Sequence, residues 1–513
     1  MKHMNYMKNN WKVEYDETIS KAIKNIPNLA QIHPLTLNDT FFQTETILSQ
    51  IPIPIIYSRI QIINNYSKLL SNITKVIKLN DKSTILSLLF HSTTSAISTE
   101  YKLKSVESIV LNNTPDNSTG RLNLNFNRFK KSLLQSKPND LAGQSILSQF
   151  VEQVQMKELY RMKRRAVPWH VNLIGEGSTD AGGPGRDLFT EVCMEIMHPM
   201  NNLFIKSPNM RMNQQNLDQE LLIPNPKPLT DYTKKLFYYS GVLMAVCYVS
   251  KLPEPFQLAK LVWKYIIKSK FVIEDIYEID FEFKQMINSL EKIENEDINQ
   301  QQFQSLFSYN FQIQNSIGEM VDLIPNGENI MVTLDNRIDF IQRCKKFRLN
   351  EFNQQLNALR SGFELIFNED ALSILSPWEL EMLICGDKQF PIEQLKKNCK
   401  YPKDCQHSNM LWNVLEGFTP KERMLFVKFG CGRMGLPPPG MEWSEKLVIK
   451  FENSSLQDPL KPLPTSATCS STINIPKYET EEWMAKKLRT AITFGADIDR
   501  DHTANISEVE QFT

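Results

Sequence analysis

The segment Leu463-Pro-Thr-Ser-Ala-Thr-Cys-Ser-Ser-Thr-Ile-Asn-Ile-Pro-Lys-Tyr478 carries one thiol, Cys469, in a polar loop. Its neighbours Ser466, Ala467, Ser470 and Ser471 are small and leave the sulfur open to a large incoming group. The chemistry on offer is nucleophilic attack by a thiolate. The loop feeds a short apolar strand (Ile473, Ile475) that Pro476 ends. A helix is expected from about Thr480, with Glu481 and Glu482 at its positive end. A cytosolic cysteine is ordinarily an inert small hydrophobe, so the surroundings must single this one out.

Other chemistries fit less well. A cysteine hydrolase needs a histidine base, and none of His3, His33, His91, His170, His198, His407 and His502 falls in a recognisable cysteine-protease motif. Gly175, Gly177, Gly182, Gly183 and Gly185 are dense, but the run lacks the Gly-Lys-Ser/Thr ending of a phosphate loop and the Rossmann spacing. Backbone turns are the favoured role there, with Asp180 and Arg186 available for local polar contacts. The basic run Arg161-Met-Lys-Arg-Arg165 reads as a solvated helix end rather than an import signal or RNA patch. The eight cysteines are scattered; Cys399 and Cys405 are close, yet neither belongs to a CxxC pair. A disulfide framework or zinc site is therefore not expected, and a reducing compartment, cytosol or nucleus, is.

These residues need elements to hold them. At 513 residues the chain predicts two to four domains. Lys plus Arg and Asp plus Glu both number 58, so no global field draws nucleic acid or acidic membranes. No apolar run approaches the ~20 residues that cross a bilayer, and the N-terminus lacks a secretory core. Ile56, Ile60, Ile63, Tyr66, Leu70, Ile73 and Ile77 recur at helical spacing behind Pro52 and Pro54, and Ile85 to Phe90 suggests a second helix packing back on the first. Residues 1–118 are thus expected to be a helical extension and linker, the turn formers of Asn112 to Gly120 marking its end. Leu122, Leu124 and Phe126 alternate as in a half-buried strand. The stretch from about Asn201 to Leu229 reads as loop-rich, and Lys400-Tyr-Pro-Lys-Asp404 as a short proline-bearing break between helices.

Leu-Pro-x-Ser-x-Thr-Cys followed by Ile-Pro-x-Tyr resembles the active-site signature of HECT ubiquitin ligases. Further segments match in the family's order: Val171 to Arg186, Pro325-Asn-Gly-Glu-Asn-Ile-Met-Val-Thr333, Glu379 to Gly386, and Leu411 to Arg423 with Phe426-Val-Lys-Phe-Gly430. The look is nearest the large HERC-type branch, although RCC-like repeats do not occur in this chain.

The resemblance implies a bilobal α+β HECT domain behind the helical extension. Its N-lobe would span 121–401, with a conjugating-enzyme-binding subdomain near 253–323, and its C-lobe 405–513. Lys400 to Asp404 would be the hinge on which the C-lobe swings. Cys469 would carry ubiquitin as a thioester taken from a conjugating enzyme, then release it to a substrate lysine. Thr468 and Asp458 are candidate supporting residues, a solvated loop acid being the competing reading of Asp458. Phe307 or Phe311 would line the docking groove. Ubiquitin, a ubiquitin-conjugating enzyme and a protein substrate are the implied partners; nucleic acid, a membrane span, a metal and an organic cofactor are not. Family members commonly carry His and Phe where this chain has Ala467 and Ser470. That departure keeps a catalytically inactive HECT-like scaffold as the alternative.

Overall fold

The computed structural model describes residues 11–24, 47–73, 84–112, 120–130, 145–163, 167–175, 183–211, 221–293, 298–433, 435–439, 442–443, 445–452, 463–467 and 470–498. Among them, helices are joined by four small sheets, the α+β class that the sequence implies. The chain divides into two compact units: Met1–Ser108 with Ser250–Pro255 and Glu381–Thr513, and Ile109–Val249 with Phe256–Leu380.

The first described elements are helices α1 (Val13–Ile23), α2 (Ile53–Ile73), α3 (Ile85–Ser92) and α4 (Thr99–Asn112). The expected apolar face of α2 is real: Ile56, Ile60, Ile63 and Leu70 are buried, while Ile77 lies outside the described residues. Pro54 falls in the first turn of α2, where its missing N–H leaves no helical bond unmade. Ile19 and Ile23 of α1 pack into the same cluster. Arg59 clamps Asp16 with two bonds of 2.7 Å, and Lys24 reaches Asp387 at 2.5 Å. The expected linker begins inside α4 at Asn112, and 113–119 lies outside the described residues.

The first strand of the second unit is β1 (Leu122–Phe126), which alternates buried and exposed residues as expected and runs parallel to β2 (Trp169–Leu173). Helices α5 (Ile146–Gln153) and α6 (Gly183–Met197) cover this pair; Gln153 and Gln149 accept from the free-edge N–H groups of Asn125 and Asn127, both at 2.8 Å. The stretch read as loop contains an antiparallel pair, β3 (Phe204–Lys206) and β4 (Leu222–Pro224), too short to leave a periodic signal. Helix α7 (Asp231–Ser250) is buried nearly all round. Then come α8 (Phe281–Glu291), α9 (Gln300–Leu306), the β5 (Gln312–Gln314) and β6 (Met320–Asp322) hairpin, α10 (Arg337–Asn350) and α11 (Asn353–Phe363). Gly241 on α7 and Gly362 on α11 face each other's helix so closely that a Cβ would lie 1.8 Å from a backbone oxygen. Only glycine permits that crossing.

Helix α12 (Pro377–Cys385) precedes the four-stranded sheet that borders the Cys469 segment. Its strands are β7 (Cys399–Lys400), β8 (Leu447–Glu452), β9 (Thr465–Ala467) and β10 (Thr472–Pro476), in the order β7-β8-β10-β9. Helices α13 (Gln406–Glu416), α14 (Pro420–Cys431) and α15 (Glu481–Ile498) complete this region. The stretch expected to act as a hinge begins in β7; Tyr401 then sets its ring edge-on to Trp412 at 4.9 Å, and Ser408 donates to the Pro402 carbonyl at 2.5 Å.

Candidate active site

The core beneath the Cys469 segment is built from α14, α15 and β10. Thr419 caps α14 with Pro420 at its first turn, and Glu422 completes the capping box by accepting from the Thr419 N–H at 2.7 Å. Burial pushes the Glu422 carboxyl up, but the Thr419 N–H and Arg489 together outweigh it and hold the group below its ordinary value. Gly430 lets α14 lie against the sheet: a Cβ there would meet Ile473 Cδ1 at 2.6 Å and Leu447 Cδ1 at 2.7 Å. Ile473 and Ile475 of β10, Tyr478 beyond it, and Met484, Leu488 and Ile492 of α15 are all fully buried. Burial pushes the Tyr478 hydroxyl far up. Asn413 on α13 holds Glu481 at 2.8 Å, fixing the start of α15 close to the expected position.

Strand β10 runs parallel to β8 and antiparallel to β9, with Ala467 opposite Thr472. The connection 468–471 therefore closes between two paired strands. Thr468, Cys469 and Asp458 lie outside the described residues. What flanks Cys469 is described: Ala467 and Ser470 are exposed, and the Ser470 hydroxyl donates to the Ala467 carbonyl at 3.2 Å. Ser471 adopts φ of 47°, the left-handed region that costs a non-glycine residue ~1–2 kcal/mol. Its carbonyl accepts from the Val448 N–H at 2.8 Å, so β8 holds the strained residue in place. Such strain persists where surrounding structure over-determines it, often beside functional groups.

The other thiols have different settings. Cys193, Cys247, Cys344, Cys385 and Cys399 are buried, whereas Cys405 and Cys431 are half-buried. Burial pushes the Cys344 thiol up to about 12, and the Cys399 and Cys431 thiols up as well. The Cys431 sulfur is also tied to the Val427 carbonyl at 3.2 Å. His407 packs on Phe451, 5.9 Å between rings. Phe451 pairs with Ile475, three strand positions from the Val448–Thr472 pair that borders the connection, a separation of roughly 10 Å. The histidine is thus placed away from the loop end of β10.

In the second unit, the two phenylalanines expected at a docking groove part company. Phe311 is 2% exposed and sets its ring edge-on to Phe340 at 5.6 Å. Phe307 is half-buried, tilted against Phe303 at 5.3 Å and Tyr309 at 6.2 Å. Sequence reasoning missed its apolar neighbours Leu306 and Met331, which are 66% and 50% exposed. Asn310 bridges to Met331, so the two stretches are side by side. Exposed apolar side chains gathered in one place mark contact surfaces more often than scattered ones do.

A family model described as HECT-domain (ubiquitin-transferase) matches residues 190–498. Over 343 residues the chain is 29% identical to "E3 ubiquitin-protein ligase HERC2" of Mus musculus, covering 66% of this chain and 7% of that protein. It is 27% identical over 344 residues to "E3 ubiquitin-protein ligase HUWE1" of Mus musculus, covering 66% of this chain and 8% of that protein. For "E3 ubiquitin-protein ligase hecw-1" of Caenorhabditis elegans the identity is 25% over 333 residues, with 64% and 26% covered. The matched region thus spans under a tenth of the first two relatives. Among the described residues no helix is long and apolar enough to cross a membrane.

Proposed function

The chain belongs to the HECT family of ubiquitin-protein transferases, and from that premise we propose that Cys469 carries the ubiquitin. The Cys469 thiolate attacks the carbonyl carbon of ubiquitin's C-terminal thioester. A new C–S bond forms as the old one breaks, and the conjugating enzyme's thiolate leaves. A substrate lysine amine then attacks the same carbon, loses its proton and expels the Cys469 thiolate, leaving an isopeptide bond. Thiol exchange between thioesters is nearly isoenergetic, so the first step needs an accessible thiolate more than an acid or base. Asp458 is the candidate carboxylate to take the lysine proton in the second step, with Thr468 a further candidate support.

The observation that carries this reading is the setting of the 468–471 connection. Ala467 and Ser470 on either side of it are exposed, beside the edge strand β9, whereas Ser471 and Thr472 are buried and the Cys344, Cys399 and Cys431 thiols are pushed up by burial. Docking of the conjugating enzyme we assign to Leu306, Phe307 and Met331, with Phe311 supporting them from within. An N-lobe over 121–401, a C-lobe over 405–513 and a swing at Lys400 to Asp404 go with this proposal. An inactive HECT-like scaffold is favoured by one observation, the exposed Ser470 where the family commonly has an apolar Phe. A ubiquitin-loading assay under non-reducing conditions separates the two readings.

A further inference from the structure

Ser316 lies in the turn between β5 and β6, fully buried, and charged side chains from other elements hold each of its polar atoms. Its N–H donates to Glu351 Oε1 at 2.6 Å and its hydroxyl to Glu351 Oε2 at 2.9 Å. Arg348 donates to Ser316 Oγ at 3.1 Å, and Arg211 donates to the Ser316 carbonyl. Arg348 is itself 1% exposed; it pairs with Asp280 at 2.7 Å and Glu351 at 2.9 Å, and lies over the Phe283 ring at 4.9 Å. Asp280 caps α8 by accepting from the Phe283 N–H at 2.9 Å. The turn is thus plugged into a charged socket made by α8, the end of α10 and the residue following it.

Burying such a charge set costs desolvation that its internal attraction only partly offsets, so it is a poor way to add stability. What it does supply is one fixed arrangement. Paired backbone joins the socket to the exposed apolar patch in two steps, the β5–β6 hairpin and then a separate bridge between Asn310 and Met331. Gln314, Ile313 and Gln312 pair with Met320, Val321 and Asp322. The Phe311 N–H then donates to the Ile330 carbonyl at 2.9 Å, and the Val332 N–H to the Tyr309 carbonyl at 2.8 Å. Between the two steps the chain turns tightly at Phe311, where the Gln312 N–H donates to the Asn310 carbonyl at 2.6 Å, and the Leu323 N–H holds the Phe311 carbonyl at 2.8 Å.

We propose that Ser316, gripped by Glu351 and Arg348, is a positioning residue that sets the geometry of the Leu306–Phe307–Met331 docking patch. This rests on the docking assignment made above. The test uses the full chain and follows ubiquitin loading against the concentration of ubiquitin-charged conjugating enzyme. Ser316→Ala and Glu351→Gln each loosen the socket, and Leu306→Glu spoils the patch directly. The expected result is a KM raised about fivefold in each socket variant, with the maximal rate within about twofold of the parent. Thermal unfolding checks that each variant is folded; should Ser316→Ala fail to fold, Glu351→Gln decides. A raised KM in Leu306→Glu alone overturns the socket proposal and leaves the docking assignment standing. No change in any of the three removes the docking assignment, and the proposal with it. A lowered maximal rate at unchanged KM assigns Ser316 to the fold alone and overturns the proposal.

Discussion

Gly430 on α14 and Ile473 on β10 approach so closely that a methyl group on Gly430 would lie 2.6 Å from Ile473 Cδ1. That contact seats the helix on the strand leaving the Cys469 loop. Gly430→Ala gains helix propensity of ~0.5–1 kcal/mol but forces repacking worth ~1–3 kcal/mol, so a net loss of about 1–2 kcal/mol is expected. Chemical denaturation of the parent and variant measures it, and a stabilised variant would show that the core yields more than the geometry allows.

Ser471 gives a prediction of opposite sign at the same site. Its φ of 47° suits glycine, so Ser471→Gly should leave stability unchanged or raise it by up to about 1 kcal/mol. Ser471→Val cannot hold that backbone easily and should lower stability by ~1–2 kcal/mol while slowing ubiquitin loading. Equal loading rates in both variants would mean that the strain has no bearing on the loop.

Phe307 and Phe311 should respond differently to truncation. Phe311→Ala empties a buried site and is expected to cost ~3–5 kcal/mol of stability. Phe307→Ala, half-exposed, should weaken docking with a much smaller effect on folding. Paired thermal melts and loading rates at limiting conjugating enzyme test both; a large stability loss for Phe307→Ala with normal loading would take it out of the interface.

The pattern of buried thiols predicts selective alkylation. With its thiol pushed up to about 12, Cys344 is almost wholly protonated at pH 8, a thiolate fraction of ~10⁻⁴ against roughly a quarter for an ordinary cysteine. Cys399 and Cys431 are shifted in the same direction. Brief iodoacetamide treatment of the native protein should therefore mark the peptide containing Cys469 well ahead of those three, and denaturant should erase the difference. Early labelling of Cys431 would contradict the ranking.

Local periodicity made much of this fold legible. The spacing of Ile56, Ile60 and Ile63 specifies the face of α2, and Leu122, Leu124 and Phe126 specify that of β1. Ile473, Ile475 and Pro476 bound β10, and Glu481 and Glu482 open α15. What escaped depends on distant partners. Strand β7 exists because Cys399 and Lys400 find Leu447 and Val448, and β3 because it finds β4. Phe311 and Phe307 look alike in sequence; Gly327 and Phe340 closing over Phe311 decide which is sealed in. The Lys24–Asp387 pair and the Ser316 socket join residues too far apart for spacing to reveal. The positive φ of Ser471 leaves no mark in a serine.

Whether Cys469 forms the ubiquitin thioester is read out in a single loading experiment. The full chain is incubated with activating enzyme, conjugating enzyme and ubiquitin, quenched, and resolved without reductant, alongside Cys469→Ala and Cys431→Ala. A ubiquitin adduct that thiol reagents release is expected on the parent and on Cys431→Ala, and none on Cys469→Ala. An adduct that persists in Cys469→Ala, or no adduct on the parent while the conjugating enzyme is fully charged, would contradict the assignment of Cys469.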